Sequence, residues 1–160
     1  AYAAGQPIPN IIGMAFSYSM TIAVLYPAFA LAVLIFSKSN QLKTVGKISI
    51  APAFFGISEP LMFGVPVVMN PFMAIPWIIS PTVNVLLGWL ACSSGLVARY
   101  AGVTVFNFPM GVTGILNGSF TIAILEVVVC IIDVLIFMPF VRIQDKKYID
   151  AEKAAETEQN

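Results

Sequence analysis

Glu59 is the one charged side chain between Lys47 and Arg99, and it stands in Ser58-Glu59-Pro60 within FFGISEPLMFGVPVVMNPFMAIPW, an apolar stretch interrupted repeatedly by proline and glycine. A carboxylate at bilayer depth costs a few kcal/mol or more, so a chain that keeps one there has a polar partner or a substrate for it. Proline suits the first position of a helix and pushes the residue before it toward an extended backbone. The triplet therefore predicts Glu59 as the N-cap of a short helix, ionised at the positive end of the helix dipole. Its oxygens would stay free to accept a hydrogen bond from a hydroxyl, or the hydroxyl's proton as that oxygen attacks. A broken helix presenting polar groups near mid-membrane is how transporter binding sites are built. The competing reading is a carboxylate that only holds the chain break together, neutralised by a lysine or by a proton.

Other chemistry is sparse. There is no histidine, which excludes a His-based phosphorelay, general base or metal site within these residues. Cys92 and Cys130 lie in apolar segments without metal or redox spacing and read as small buried hydrophobes. No metal or cofactor is expected. Asn70, just before Pro71, reads as a partner for backbone groups freed by the break, with direct ligand contact as the second possibility. Glu126 and Asp133 are seven residues apart, nearly on one helix face. They could line a polar path, or pair with Arg or Ser/Thr donors from a part of the bundle outside these residues. Met62, Met69 and Met73 read as packing filler.

The elements that must position these residues are membrane elements. Of the 160 residues 59% are hydrophobic and 10% charged, with a mean hydropathy of +0.90, so the chain reads as an all-α integral membrane protein. Eight basic residues balance eight acidic ones and form no broad basic face, which excludes nucleic acid as a partner. Residues 11–36 are uncharged and about 39 Å long if helical, enough to cross a hydrocarbon core with some tilt, and Pro27 should kink them. Lys38, Lys43 and Lys47 then fall in a short polar connection, placed on the cytoplasmic side by the positive-inside rule. Residues 48–72 carry too many prolines and glycines for one straight helix and read as a re-entrant hairpin with its tip near 56–60. A second span is expected over 71–97, with Trp77 as an interfacial anchor, then a packed irregular loop over 101–119 and a third span over 121–141. The charged tail 142–160 should be cytoplasmic and solvated, with a short helical start and a frayed end. The N-terminal AYAAGQPIPN, without Met or a basic leader, reads as the interior of a longer chain rather than a signal peptide.

The stretch KSNQLKTVGKISIAPAFFGISEPLMFGVPVVMNPFMAIPWIISPTVNVLLG resembles the IIC component of bacterial sugar phosphotransferase systems, lactose/cellobiose (diacetylchitobiose) family. Glu59-Pro60, Phe63-Gly64, Pro66, Asn70-Pro71 and Ile75-Pro76 stand in register with that family's second-hairpin pattern. The likeness runs from about Lys38 to Asp145 and corresponds to the C-terminal portion of a family member. It implies that residues 1–141 are the membrane-embedded sugar-binding part of a larger bundle in the bacterial cytoplasmic membrane. Glu59 would hydrogen-bond the reactive hydroxyl of a β-linked disaccharide and help it lose a proton as it attacks a phosphocysteine on the cytoplasmic IIB partner. IIB would in turn be charged by IIA. The chain would then be part of a phosphotransferase without carrying phosphate itself. The resemblance further implies a homodimer at full length, and a histidine, dimerisation helices and first hairpin that belong to an absent upstream half. Ser58 stands where the family shows asparagine, and Phe106 where it shows a tryptophan against which a sugar ring packs. Asn107 beside it can bond hydroxyls, and ordinary loop packing is the other reading of this segment. Two other readings remain at this level: a proton-coupled secondary transporter relaying through Glu59, Glu126 and Asp133, and an inactive fragment of a split or truncated permease.

Overall fold

The structure, a computed structural model, describes residue 1 and residues 3–158. Those residues are helices and turns without a strand. The first span runs unbroken over Met14–Phe36 as α1 (Met14–Tyr18), a π-helical turn (Ser19–Ala23) and α2 (Leu25–Phe36). The break expected from Pro27 takes the form of this π turn. It ends at Ala23, the residue whose carbonyl the Pro27 ring would otherwise meet in a regular α-helix.

The connection after Phe36 is shorter than expected. Ser39 caps α3 (Asn40–Phe54), its hydroxyl accepting from Leu42 N–H, so Lys43 and Lys47 lie on a helix and only residues 37–39 are linker. With so short a linker α3 runs back along α2. The two backbones meet at Gly46, where a Cβ would fall 3.1 Å from the Leu34 Cα. Fifteen residues carry α3 about 22 Å, most of the way into a hydrocarbon core of about 30 Å. Pro52 does not break it but sits in its last turn. The chain reverses at Phe55–Ser58 and descends through α4 (Glu59–Gly64). The hairpin is therefore real, and its first arm begins eight residues earlier than the composition indicated.

Helix α5 (Pro71–Ser93) is the second span, ending four residues before the expected 97. Between it and the last helix the irregular segment is held mainly by Asn117. That side chain is 3% exposed, donates to the carbonyls of Val103 and Thr113, and accepts from Val103 N–H. One short helix, α6 (Val112–Leu116), interrupts it.

Two expectations about the C-terminal part are corrected. The last span does not stop at Val141: α7 (Phe120–Glu158) is one helix of 39 residues. The tail is helical to Glu158 and its first half is docked, because Asp145 and Glu152 meet the start of α3, while the end beyond Glu158, expected to fray, lies outside the described residues. Asp145 accepts from Lys38 N–H, Ser39 N–H and the Ser39 hydroxyl, and Glu152 accepts from Asn40 and Gln41 N–H. These amides have no partner within α3, so acids from α7 supply it.

The core forms two clusters. One gathers Phe29, Val33, Leu42, Leu61, Met73 and Phe137 from five helices; the other gathers Phe16, Met20, Cys92, Tyr100, Ile122 and Val129. Cys92 and Cys130 are buried and unbridged. Trp77 is no interfacial anchor but packs inside against Tyr26, Phe29 and Phe137. Of the three methionines read as filler, Met73 is fully buried and Met62 packs on the core, whereas Met69 is 89% exposed on the hairpin's return.

Candidate site at the hairpin tip

The tip of the hairpin turns on Gly56, whose φ of +74° lies in the left-handed region that favours glycine. A side chain there would also be tight against its neighbours. A Cβ there would lie 3.1 Å from the Tyr18 hydroxyl oxygen and 3.7 Å from the Asn107 Oδ1. Tyr18 itself is buried, accepts from the Asn107 backbone N–H at 3.0 Å, and meets the Phe106 ring edge to face with centroids 5.2 Å apart. Three separate pieces of chain therefore converge: the last residue of α1, the hairpin tip, and the middle of the 101–119 segment. Asn107 is the one described non-glycine residue with positive φ, at 59°, a backbone that asparagine tolerates better than most residues.

Glu59 lies three residues beyond Gly56. It is not the N-cap that the sequence predicts. Ser58 holds that position, since its carbonyl accepts from Leu61 and Met62 N–H, while Glu59 is already the first helical residue. The preference of a pre-proline residue for extended backbone is overridden by the tight reversal, which carries Ser58 and its successor into helical geometry. Ser58 makes no side-chain cap bond. With six residues, α4 has little dipole to offer, so it is exposure that leaves the Glu59 carboxylate free. Among the described residues it has no hydrogen-bond or ion-pair partner. Phe106, which meets Tyr18 edge to face, is itself 59% exposed. The arrangement offers a hydrogen-bond-accepting carboxylate, a serine hydroxyl, an amide side chain and an aromatic face, a set suited to a polyol ligand.

The remaining polar residues lie elsewhere. Asn70 is not at the tip: its Oδ1 accepts from Phe72 N–H, capping α5, and its Nδ2 donates to Gln144 on α7. Glu126 is fully buried and accepts three hydrogen bonds, from the Ser19 hydroxyl at 2.5 Å, the Gly111 N–H at 2.6 Å and the Thr113 hydroxyl at 2.7 Å. Since Ser19 spends its proton on Glu126, the Tyr100 hydroxyl 3.0 Å away donates to Ser19. Burial pushes the Tyr100 phenol well above its usual range, which keeps it a donor. The donors that Glu126 needs thus come from within the chain, and they tie the 101–119 segment to the first span. Asp133 belongs to a second network, accepting from Asn84, which also donates to the Met20 carbonyl in the π turn. Among the described residues no hydrogen bond joins Glu126, Asp133 and Glu59 directly.

Tyr18 and Ser19 escaped the sequence reading because an aromatic and a serine in a span look like core. The available signal was local: Ser17, Tyr18, Ser19 and Thr21 put four hydroxyls into five residues of an otherwise apolar helix.

The family model described as "Phosphotransferase system, EIIC" matches residues 1–81. The oligo-beta-mannoside-specific EIIC component of Bacillus subtilis (strain 168) is 37% identical over 159 residues, covering 96% of this chain and 36% of that protein. The cellobiose-specific EIIC component of Geobacillus stearothermophilus is 40% identical over 133 residues, covering 81% of this chain and 30% of that protein. Among solved structures, the crystal structure of the transporter ChbC, the IIC component of the N,N'-diacetylchitobiose-specific system, superposes with a TM-score of 0.89 at 37% identity. That match takes in 96% of this chain and 37% of ChbC. The chain therefore spans about a third of the length of these relatives.

Proposed function

The chain belongs to the EIIC family of the phosphotransferase system, and on that premise we propose that it forms the sugar-binding part of a permease that moves a β-linked disaccharide of the cellobiose, chitobiose or lactose type. The observation that carries this reading is the convergence of the hairpin tip, with an unpaired Glu59, on Tyr18, Phe106 and Asn107.

In this reading the sugar ring lies on the open face of Phe106 while Asn107 and Ser58 bond its hydroxyls. Glu59 orients the hydroxyl that will react and takes its proton as the oxygen attacks phosphorus. The P–S bond to the cysteine of a IIB partner breaks as the O–P bond forms, and the thiolate leaves with IIB. Such a transfer depends chiefly on position and charge, and one carboxylate aimed at the nucleophile supplies both. Asn70, occupied at both ends of its amide, serves the hairpin's return and not the sugar. The histidine of the family site, the dimer contacts and the first hairpin would come from the part of a full-length relative that these residues do not represent. IIB would dock at the cytoplasmic end, for which the positive-inside rule selects the end carrying Lys38, Arg142 and Lys146.

The test is Glu59→Gln in the full-length protein reconstituted with phosphorylated IIB. Sugar phosphorylation coupled to uptake should fall by about 10²- to 10⁴-fold, the usual contribution of a general base, with the fold intact. Undiminished coupled uptake would remove Glu59 from the mechanism.

A further inference from the structure

Where α2 ends and the tail of α7 begins, a cavity of about 550 Å³ opens between the two helices. Its polar wall carries Lys38, Arg142 and Lys146, all exposed. Its apolar wall is Ile35, Phe36 and Ile149. Asp145 also borders it, but that side chain is only 3% exposed, and both of its oxygens are taken by Lys38 N–H, Ser39 N–H and the Ser39 hydroxyl. Its charge is thus turned toward the start of α3 and away from the cavity. Arg142 stacks over the Phe36 ring with its Cζ 5.1 Å from the centroid, which holds the guanidinium at the rim. Among the described residues none of the three cations has an ion-pair partner.

The position of this cavity limits its occupant. It lies where α2 ends at Phe36 and beside α7 where that helix's apolar run gives way to charge at Arg142, so Ile35 and Phe36 stand at the hydrocarbon edge, Ile149 lies on the tail side, and the cations stand at the level of the headgroups. Ile35, the last residue but one of α2, lines the cavity and is 59% exposed. A site with an apolar floor and three cations at a membrane edge complements a molecule with an acyl chain and a phosphate. We propose that this cavity is a binding site for an anionic phospholipid, with the phosphate held by Lys38, Arg142 and Lys146 and an acyl chain lying along Ile35. Because Lys38 adjoins α3 and Arg142 and Lys146 belong to α7, the bound lipid would clamp the base of the hairpin to the tail. The proposal rests on the spans alone and is independent of what the hairpin tip binds.

Native mass spectrometry of the full chain released from detergent with mixed phosphatidylglycerol and phosphatidylcholine tests it. The protein should retain phosphatidylglycerol in preference to phosphatidylcholine. The combined variant Lys38→Gln, Arg142→Gln, Lys146→Gln should lower that retention at least ten-fold, while a control of equal charge loss, Lys43→Gln, Lys47→Gln, Lys147→Gln, leaves it unchanged. Arg142→Lys, which keeps the charge and disturbs the fold least, should retain most of it. Equal retention in the cavity variant overturns the site, and equal loss in the control overturns its locality. Full displacement of the lipid by millimolar inorganic phosphate overturns the lipid in favour of a small anion.

Discussion

At position 56 two demands coincide: a left-handed backbone and the absence of a side chain against Tyr18. Gly56→Ala should therefore cost about 1–2 kcal/mol for the backbone alone, and its Cβ should push the tip away from Tyr18 and Asn107. Calorimetric titration with the cognate sugar should read a loss of affinity of roughly ten-fold, equivalent to about 1.4 kcal/mol. Gly95 provides the comparison, since its φ of +77° is the same kind but nothing lies within 4 Å of its Cβ position. Gly95→Ala should lower thermal stability and leave sugar affinity alone; equal losses in both variants would mean that the contact with Tyr18 is immaterial. At this scale the sequence was informative about Glu59, because a lone carboxylate in an apolar stretch is visible without any fold. It was silent about Tyr18, whose role comes from two segments brought to it from residues 56 and 107. It also misplaced Glu59 by one position, since a proline marks the first turn of a helix better than it marks the cap.

Among the elements, the hairpin was legible and its anchoring was not. Proline and glycine over 48–72 announced a broken, re-entrant segment, and the turn over 55–58 centres on Gly56, between Pro52 and Pro60. The length of α3 was hidden because the carboxylates that complete its N-terminus lie more than 100 residues away, on a tail whose composition alone suggests solvation. Asp145→Ala removes acceptors from two backbone amides and a hydroxyl at once, and should destabilise the start of α3 by about 2 kcal/mol or more. Hydrogen exchange should show residues 38–42 losing protection, with Asp150→Ala, an exposed neighbour on the same helix, unchanged. Protection retained in Asp145→Ala would show that the tail does not hold the hairpin. Pro27 illustrates a related limit: its disruption was foreseeable, but the π turn that absorbs it, and the Asn84 amide that bonds the Met20 carbonyl there, depend on α5 packing alongside.

Across the whole molecule, three spans and a hairpin that returns to its own side place every well-separated function at a defined depth. Basic residues collect at one end, the hairpin tip stands some 22 Å in from there by the length of α3, and Glu126 locks the 101–119 segment over it from the far side. Hydropathy sufficed for the spans, whereas the pairing of Glu126 with Ser19, Thr113 and Gly111 required knowing which turn faces which helix. The central claim is that a sugar occupies the space around the hairpin tip. Cys92 and Cys130 are buried, at 4% and 3% exposure, so once any cysteine outside these 160 residues is replaced, a single cysteine at the tip can be read against a quiet background. Ile57, 41% exposed and next to Gly56, is the position to use. In the full-length protein Ile57→Cys should react with a hydrophilic maleimide, and saturating disaccharide should slow that reaction at least ten-fold while sucrose does not. Labelling at the same rate with and without saturating disaccharide would contradict the account.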